Sequence, residues 1–309
     1  MGPIRFFKLE FAALAAGLLL AGCAAGGKNM AARGPGPIHR SYTEGEVFKY
    51  RLTLEYSETA GKDSVTISDG EGAVKKGADG VFYEEWKWTG TSRDGSAAVL
   101  TADALSSRQF LSLDPGYKLS IPDLSKAYQL IEPITDTLTF YADVQLAARK
   151  GLLLKAGEQL YVEHGRPNSW AGGPTLKGYD CIDFDLTVTE VDRKAGTATL
   201  KALHVPPAHG CAEAPAPWLG VPVAATANNW YQVRRQPDGT YAAGAAKEIF
   251  DDVIRLSLAD GRILSATQYN ELTGESRACR DEQLTDCGAP EKFKIVRKLS
   301  LLPSGADNI

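Results

Sequence analysis

Glu46-Val47-Phe48-Lys49-Tyr50-Arg51-Leu52-Thr53-Leu54-Glu55-Tyr56 sets the fold class. Phe48, Tyr50, Leu52, Leu54 and Tyr56 share one face of an extended chain, and Lys49, Arg51, Thr53 and Glu55 share the other. A period of two with a polar outer face belongs to an antiparallel sheet with one wet side. The same alternation returns along the chain. Val81 to Trp88 places Phe82, Trp86 and Trp88 together. Ile182, Phe184, Leu186 and Val188 alternate with Asp183, Asp185, Thr187 and Thr189. Phe250, Asp252, Ile254, Leu256 and Leu258 lead into an Asp260-Gly261 hairpin signal. Phe293, Ile295, Leu299 and Leu301 close the chain. Weaker strands are expected at 65–67, 97–101, 108–113, 159–162, 197–205, 230–235 and 263–271. Asp69-Gly70, Asp79-Gly80 and Asp114-Pro115-Gly116 read as turns.

In the middle of the chain the period changes. Leu138, Tyr141 and Val144 recur at helical spacing, with Gln145 and Ala148 on the same side. Thr135 is the expected N-cap, Arg149 and Lys150 fill the last turn, and Gly151 supplies a left-handed stop. A shorter helix is expected over 123–130. The fold class is therefore mainly β: a curved antiparallel sheet, half-barrel or sandwich, with one or two helices in the middle of the chain.

Upstream of the sheet lies a different kind of sequence. Arg5 and Lys8 form a short basic region, and Phe11 to Leu20 is apolar or small throughout. Ten residues at about 1.5 Å each are too few to cross a hydrocarbon core of about 30 Å, so the run reads as a secretory signal. It ends Leu20-Ala21-Gly22-Cys23, which resembles the lipobox of bacterial lipoproteins. The resemblance implies that 1–22 is removed and that Cys23 carries lipid as the first mature residue. Ala24, where the family places Asp for inner-membrane retention, implies an outer-membrane address in the cell envelope. Several acyl chains, each methylene contributing about 0.8 kcal/mol, would hold the protein firmly. Residues 23–45, centred on Gly34-Pro35-Gly36-Pro37, read as a flexible tether spanning roughly 25 Å. Residues 46–309 read as one β-rich domain, divisible into halves 46–151 and 152–309. Its element order is similar to the half-barrel folds of the lipoprotein-carrier group, which implies a cavity between sheet and helix. Leu52, Leu54, Leu138 and Tyr141 would line it around an apolar ligand.

Composition narrows the functions. A net charge of −4 and the lack of any basic run argue against nucleic acid. In an exported chain Cys181, Cys211, Cys279 and Cys287 read as disulfides, with Cys279–Cys287 closing a local loop and Cys181 left to Cys211. His204, His209 and Cys211 lie close in sequence, but an oxidised cysteine is no ligand, so no metal ligand or cofactor is assigned. Asp183 and Asp185 project on one strand face, where paired carboxylates suit acid–base work on a glycan. The commoner reading of such a pair is the solvated face of an antiparallel strand. Trp170 and Trp218, expected in loops, and Trp230 are the candidate ligand-stacking aromatics. The leading expectation is an anchored binding or scaffold module for an apolar ligand or an envelope partner. The alternative is an envelope enzyme acting on glycans.

Overall fold

The computed structural model describes residues 36–304 except 60, 62, 125–126, 164–167, 173–174 and 208–228. The opening stretch forms β1 (Val47–Glu58), followed by β2 (Ser64–Lys76) and β3 (Phe82–Arg93). A two-residue β4 (Ser96–Ala97), helix α1 (Ala102–Ser106) and β5 (Gln109–Leu111) come next. The expected strand over 97–101 is therefore mostly replaced: Thr101 caps α1, accepting the Ala104 N–H. After a single 3-10 turn at Tyr128–Leu130 comes α2 (Ile131–Arg149).

The second half supplies β6 (Gln159–Val162), β7 (Asn168–Gly172), β8 (Thr175–Asp180), β9 (Asp183–Asp192) and β10 (Thr197–Val205). β11 (Trp230–Arg235), β12 (Tyr241–Ser257), β13 (Ile263–Cys279) and β14 (Glu291–Pro303) complete it. All strands join one curved antiparallel sheet that does not close. Its main path runs β4-β3-β2-β1-β14-β13-β12-β10-β9-β6. The last strand pairs with the first, Leu54 opposite Leu299, so the two halves of the chain meet at the middle of the sheet. β12 is long enough to serve two partners along one edge. Its 241–246 half pairs with β11, which carries β8 and β7, and its remainder pairs with β10. Asn229 secures this fork: its side-chain amide donates to the Glu248 carbonyl at 2.9 Å and its oxygen accepts the Glu248 N–H at 2.7 Å.

Alternation puts Phe48, Tyr50, Leu52 and Leu54 on the inner face, as expected. Three further expectations change. Asp69-Gly70 is no turn. β2 continues through it, with a register shift against β3 between Asp69 and Gly70; Asp69 points outward onto Arg51 and Gly70 inward beneath Trp88. The helix starts earlier than Thr135, whose hydroxyl instead bonds the Ile131 carbonyl one turn back; Gly151, at φ +77°, does end it. The expected tether is shorter at its domain end, because 36–45 packs on the sheet. Ile38 and Arg40 are buried, the Leu154 N–H donates to the Gly36 carbonyl at 2.8 Å, and the Ser41 N–H donates to the Asp260 carbonyl at 2.7 Å. The Gly34-Pro35-Gly36-Pro37 run just upstream gives the stretch its tether-like look, but Ile38, Arg40 and Tyr42 supply the groups that dock.

α2 lies in the trough of the sheet and is buried nearly all round, with Ile134, Phe140, Tyr141, Val144 and Ala147 in the core. Among the described residues no helix is long and apolar enough to cross a membrane. A smaller core on the opposite sheet face joins Tyr231, Val233, Ala243 and Ala245 to Leu284. Leu284 sits in the loop closed by the Cys279–Cys287 disulfide.

Candidate functional site

A helix in a sheet trough needs an apolar surface, yet α2 also buries Asp136, Thr137, Asp143 and Gln145. Each of the charged or amide-bearing ones reaches a different part of the fold. Asp136 takes both its hydrogen bonds from Arg297 Nη2 on β14, at 2.8 and 2.7 Å. Tyr141 donates its hydroxyl to Glu84 on β3, which also accepts the Trp86 indole N–H at 3.2 Å. Gln145 donates to the carbonyls of Asp114 and Tyr117 at 2.7 and 2.9 Å. Asp143 Oδ1 meets His204 Nε2 on β10 at 2.6 Å. In return Gln109 on β5 donates to the Ile134 carbonyl at 2.8 Å.

The densest chemistry is around Asp143. The register explains it. Ala202 of β10 stands opposite Asp252 of β12, and Asp252 stands opposite Gln268 of β13, so all three share one inner row. His204 is two residues along β10 on the same face, opposite Phe250. Asp143 descends onto this row from α2. One donor atom from each of Asp143, His204 and Asp252 lies within 4.8 Å of the others. Asp143 and Asp252 are 1% and 0% exposed, and His204 is 7% exposed. Phe184 and Phe250 flank the imidazole, with ring centroids 4.7 and 5.1 Å away.

Gln268 Nε2 donates to Asp252 Oδ2 at 3.2 Å. That leaves Asp252 Oδ1 and Asp143 Oδ2 buried without a hydrogen-bond partner among the described residues. Burial pushes the Asp252 carboxyl well above the usual carboxylate range, and the neighbouring Asp143 pushes it the same way. Such a trio has two chemical uses. It can hold one proton between two carboxyls, or it can hold a cation with one nitrogen and two oxygen donors.

A second polar cluster closes the far end. Glu84, fully buried, faces Arg40 Nε at 3.6 Å, and Arg40 Nη2 bonds Glu46 at 2.9 Å. Glu46 also pairs with Arg262 at 3.0 Å. Burial raises Glu84 above the usual carboxylate range, although Tyr141, Arg40 and Trp86 all pull it down. The Arg40 guanidinium lies over the Tyr42 ring, 4.5 Å from its centroid. This cluster is what docks 36–45.

The residues singled out from sequence are dispersed. Trp230 is 6% exposed on the inner face of β11, its ring centroid 6.5 Å from Phe293. Trp170 lies on β7 rather than in a loop. Cys23, Cys211, His209 and Trp218 fall outside the described residues. Cys181 is disulfide-bonded. His204 is a strand residue in the core and no part of a surface loop. Asp183 is buried rather than solvated and accepts the Tyr161 hydroxyl; Asp185 accepts from Gln159 at 2.9 Å. Leu52, Leu54 and Tyr141 are packed in one core, with Leu138 against it.

Sequence reading missed Asp143, Asp252, Glu84 and Arg297 as site residues. The signal for three of them is visible in retrospect: Glu84, Asp252 and Arg297 each interrupt an otherwise apolar strand face.

The fold and site define a class: a mainly β domain whose open, curved sheet wraps a helix keyed in by buried polar contacts. No family model matches the chain, and no curated protein matches it.

Proposed function

We propose that the chain is a lipid-anchored cell-envelope module that binds or scaffolds a protein partner. The anchor is supported by the apolar run ending in Leu20-Ala21-Gly22-Cys23. The module reading is carried by one observation: the trough of the sheet is filled. Leu52, Leu54 and Tyr141, the side chains that would line an apolar cavity, pack in the core around α2. This favours a partner bound outside over a ligand carried inside. It also weighs against glycan chemistry in the interior, because a polymer has no approach to carboxylates buried to this degree.

Large apolar side chains stand at the surface near the β3 end of the sheet instead. Val99 is 88% exposed and Tyr128 is 64% exposed. Gln129 holds the two segments together, accepting the Thr101 N–H at 3.2 Å and donating to the Val99 carbonyl at 2.9 Å. Leu105 and Phe110, on α1 and β5 nearby, are exposed as well. Grouped exposed apolar side chains of this size suit a protein contact.

Two tests separate anchor from contact. Cys23→Ser should move the protein to the soluble fraction and abolish palmitate labelling; retention at the membrane contradicts the anchor. Crosslinking in intact cells should give a discrete adduct that Val99→Glu with Tyr128→Glu removes. Adducts that persist unchanged in that folded variant contradict the contact.

A further inference from the structure

We propose that Asp143, His204 and Asp252 form a binding site for one divalent transition-metal cation, of which zinc is the first candidate. The inference is independent of what the module binds at its surface. It begins from charge. Two carboxylates packed in a core cost several kcal/mol each unless something neutralises them. Among the described residues neither has an arginine or lysine partner. The ion pairs give Asp143 only His204 and give Asp252 none. A proton shared by the two carboxyls offsets part of this charge, and a dication bound in its place would balance both carboxylates.

The donor atoms are arranged for it. Each carboxylate has one oxygen engaged and one buried oxygen that receives no hydrogen bond from a donor among the described residues, and the two carboxyl groups lie within hydrogen-bonding reach of each other. Asp143 Oδ1 takes His204 and leaves Oδ2; Asp252 Oδ2 takes Gln268 and leaves Oδ1. Gln268 thereby fixes the orientation of Asp252, the part an outer hydrogen-bond partner plays at metal sites. The three donors come from α2, β10 and β12, so the surrounding packing sets their geometry.

The donor chemistry selects the ion. One imidazole nitrogen with two carboxylate oxygens suits zinc, manganese or ferrous iron. Calcium needs six to eight oxygens and magnesium prefers an octahedron of oxygens and waters, whereas a four-coordinate ion needs only these three donors and one more ligand, a second carboxylate oxygen or a water. Metal–ligand bonds of about 2.0–2.2 Å put donors roughly 3.3 Å apart in a tetrahedron. The present His204–Asp143 distance of 2.6 Å is a hydrogen bond. Binding would replace it: the proton shared there and any proton on Asp252 leave to solvent as the cation enters, and the ring turns its lone pair inward. Because the donors are buried, the cation is expected to enter during folding.

The test uses the full chain in detergent, with its disulfides intact. The protein is unfolded in urea with a chelator, then refolded with zinc, with manganese or with neither. After removal of free metal, wild type should hold about one zinc or manganese per chain and melt at a higher temperature than the metal-free sample. A cobalt-loaded sample should show the absorption of four-coordinate nitrogen and oxygen ligation. Asp252→Asn keeps the shape of the side chain and should reduce affinity by more than about 100-fold. Asp143→Asn serves as the second variant. Far-ultraviolet circular dichroism checks that both fold. Absence of bound metal in refolded wild type, or unchanged binding in both folded variants, overturns the proposal.

Discussion

At the scale of single residues, the interior is decided by what is missing from β2 as much as by what is present on its neighbours. Gly70 and Gly72 face inward, where Trp88, Trp86 and Phe48 lie across them. A Cβ at Gly72 would sit 2.1 Å from a Phe48 ring carbon. Gly72→Ala should therefore destabilise by about 1–3 kcal/mol in urea unfolding, as overpacking does, and Phe48→Leu in the same chain should recover part of the loss. No loss in the single variant would mean that the ring does not lie there. These glycines also show why sequence reading stumbled. Asp-Gly is a turn signal when it connects strands, and the same letters serve inside a strand when large aromatic rings need space. Gly80, at φ +83°, is a true turn residue, whereas no left-handed φ marks Gly70. Only the register against β1 and β3 separates the two cases.

At the scale of elements, α2 is the part that its own sequence describes least well. Its existence and its glycine stop were legible in the spacing of Leu138, Tyr141 and Val144. Its start was not, because its N-cap, Leu130, has no capping side chain and the helix grows directly out of the preceding turn. Nor was its burial legible. A helix with Asp136, Asp143 and Gln145 spread around it looks like one with a wet face, and here those residues key it to the sheet. Asp136 with Arg297 illustrates the energetics. Burial pushes Asp136 above its usual range even though Arg297 pulls it down, while Asp136 holds the arginine charged against its own burial. Desolvation thus consumes much of the attraction, and the pair fixes the position of the helix more than it adds stability. Asp136→Asn should cost about 1–3 kcal/mol by leaving a partly buried guanidinium short of its counter-charge. Asp136→Leu with Arg297→Met should come within about 1 kcal/mol of wild type. A double variant as damaged as the single one would mean that the pair is a net source of stability.

At the scale of the whole molecule, the alternating strands predicted a mainly β domain with a curved antiparallel sheet, and the sheet has that form. Pairing of the last strand with the first, and the fork of β12, were not legible, because one strand's alternation says which face is apolar and nothing about its partners. The buried trio was illegible for the same reason. Asp143, His204 and Asp252 lie far apart along the chain, and only the register of β10 on β12, with α2 above, brings them together.

The central claim is that α2 fills the trough as a fixed part of the core and is no lid over a ligand cavity. Native-state hydrogen exchange on the full chain tests it most directly. The backbone amides of 135–148 should exchange in the slowest class, together with β1, β13 and β14, and only through global unfolding. Exchange of those amides orders of magnitude faster than the flanking strands, with the sheet still protected, would mean that the helix opens on its own and would contradict the account.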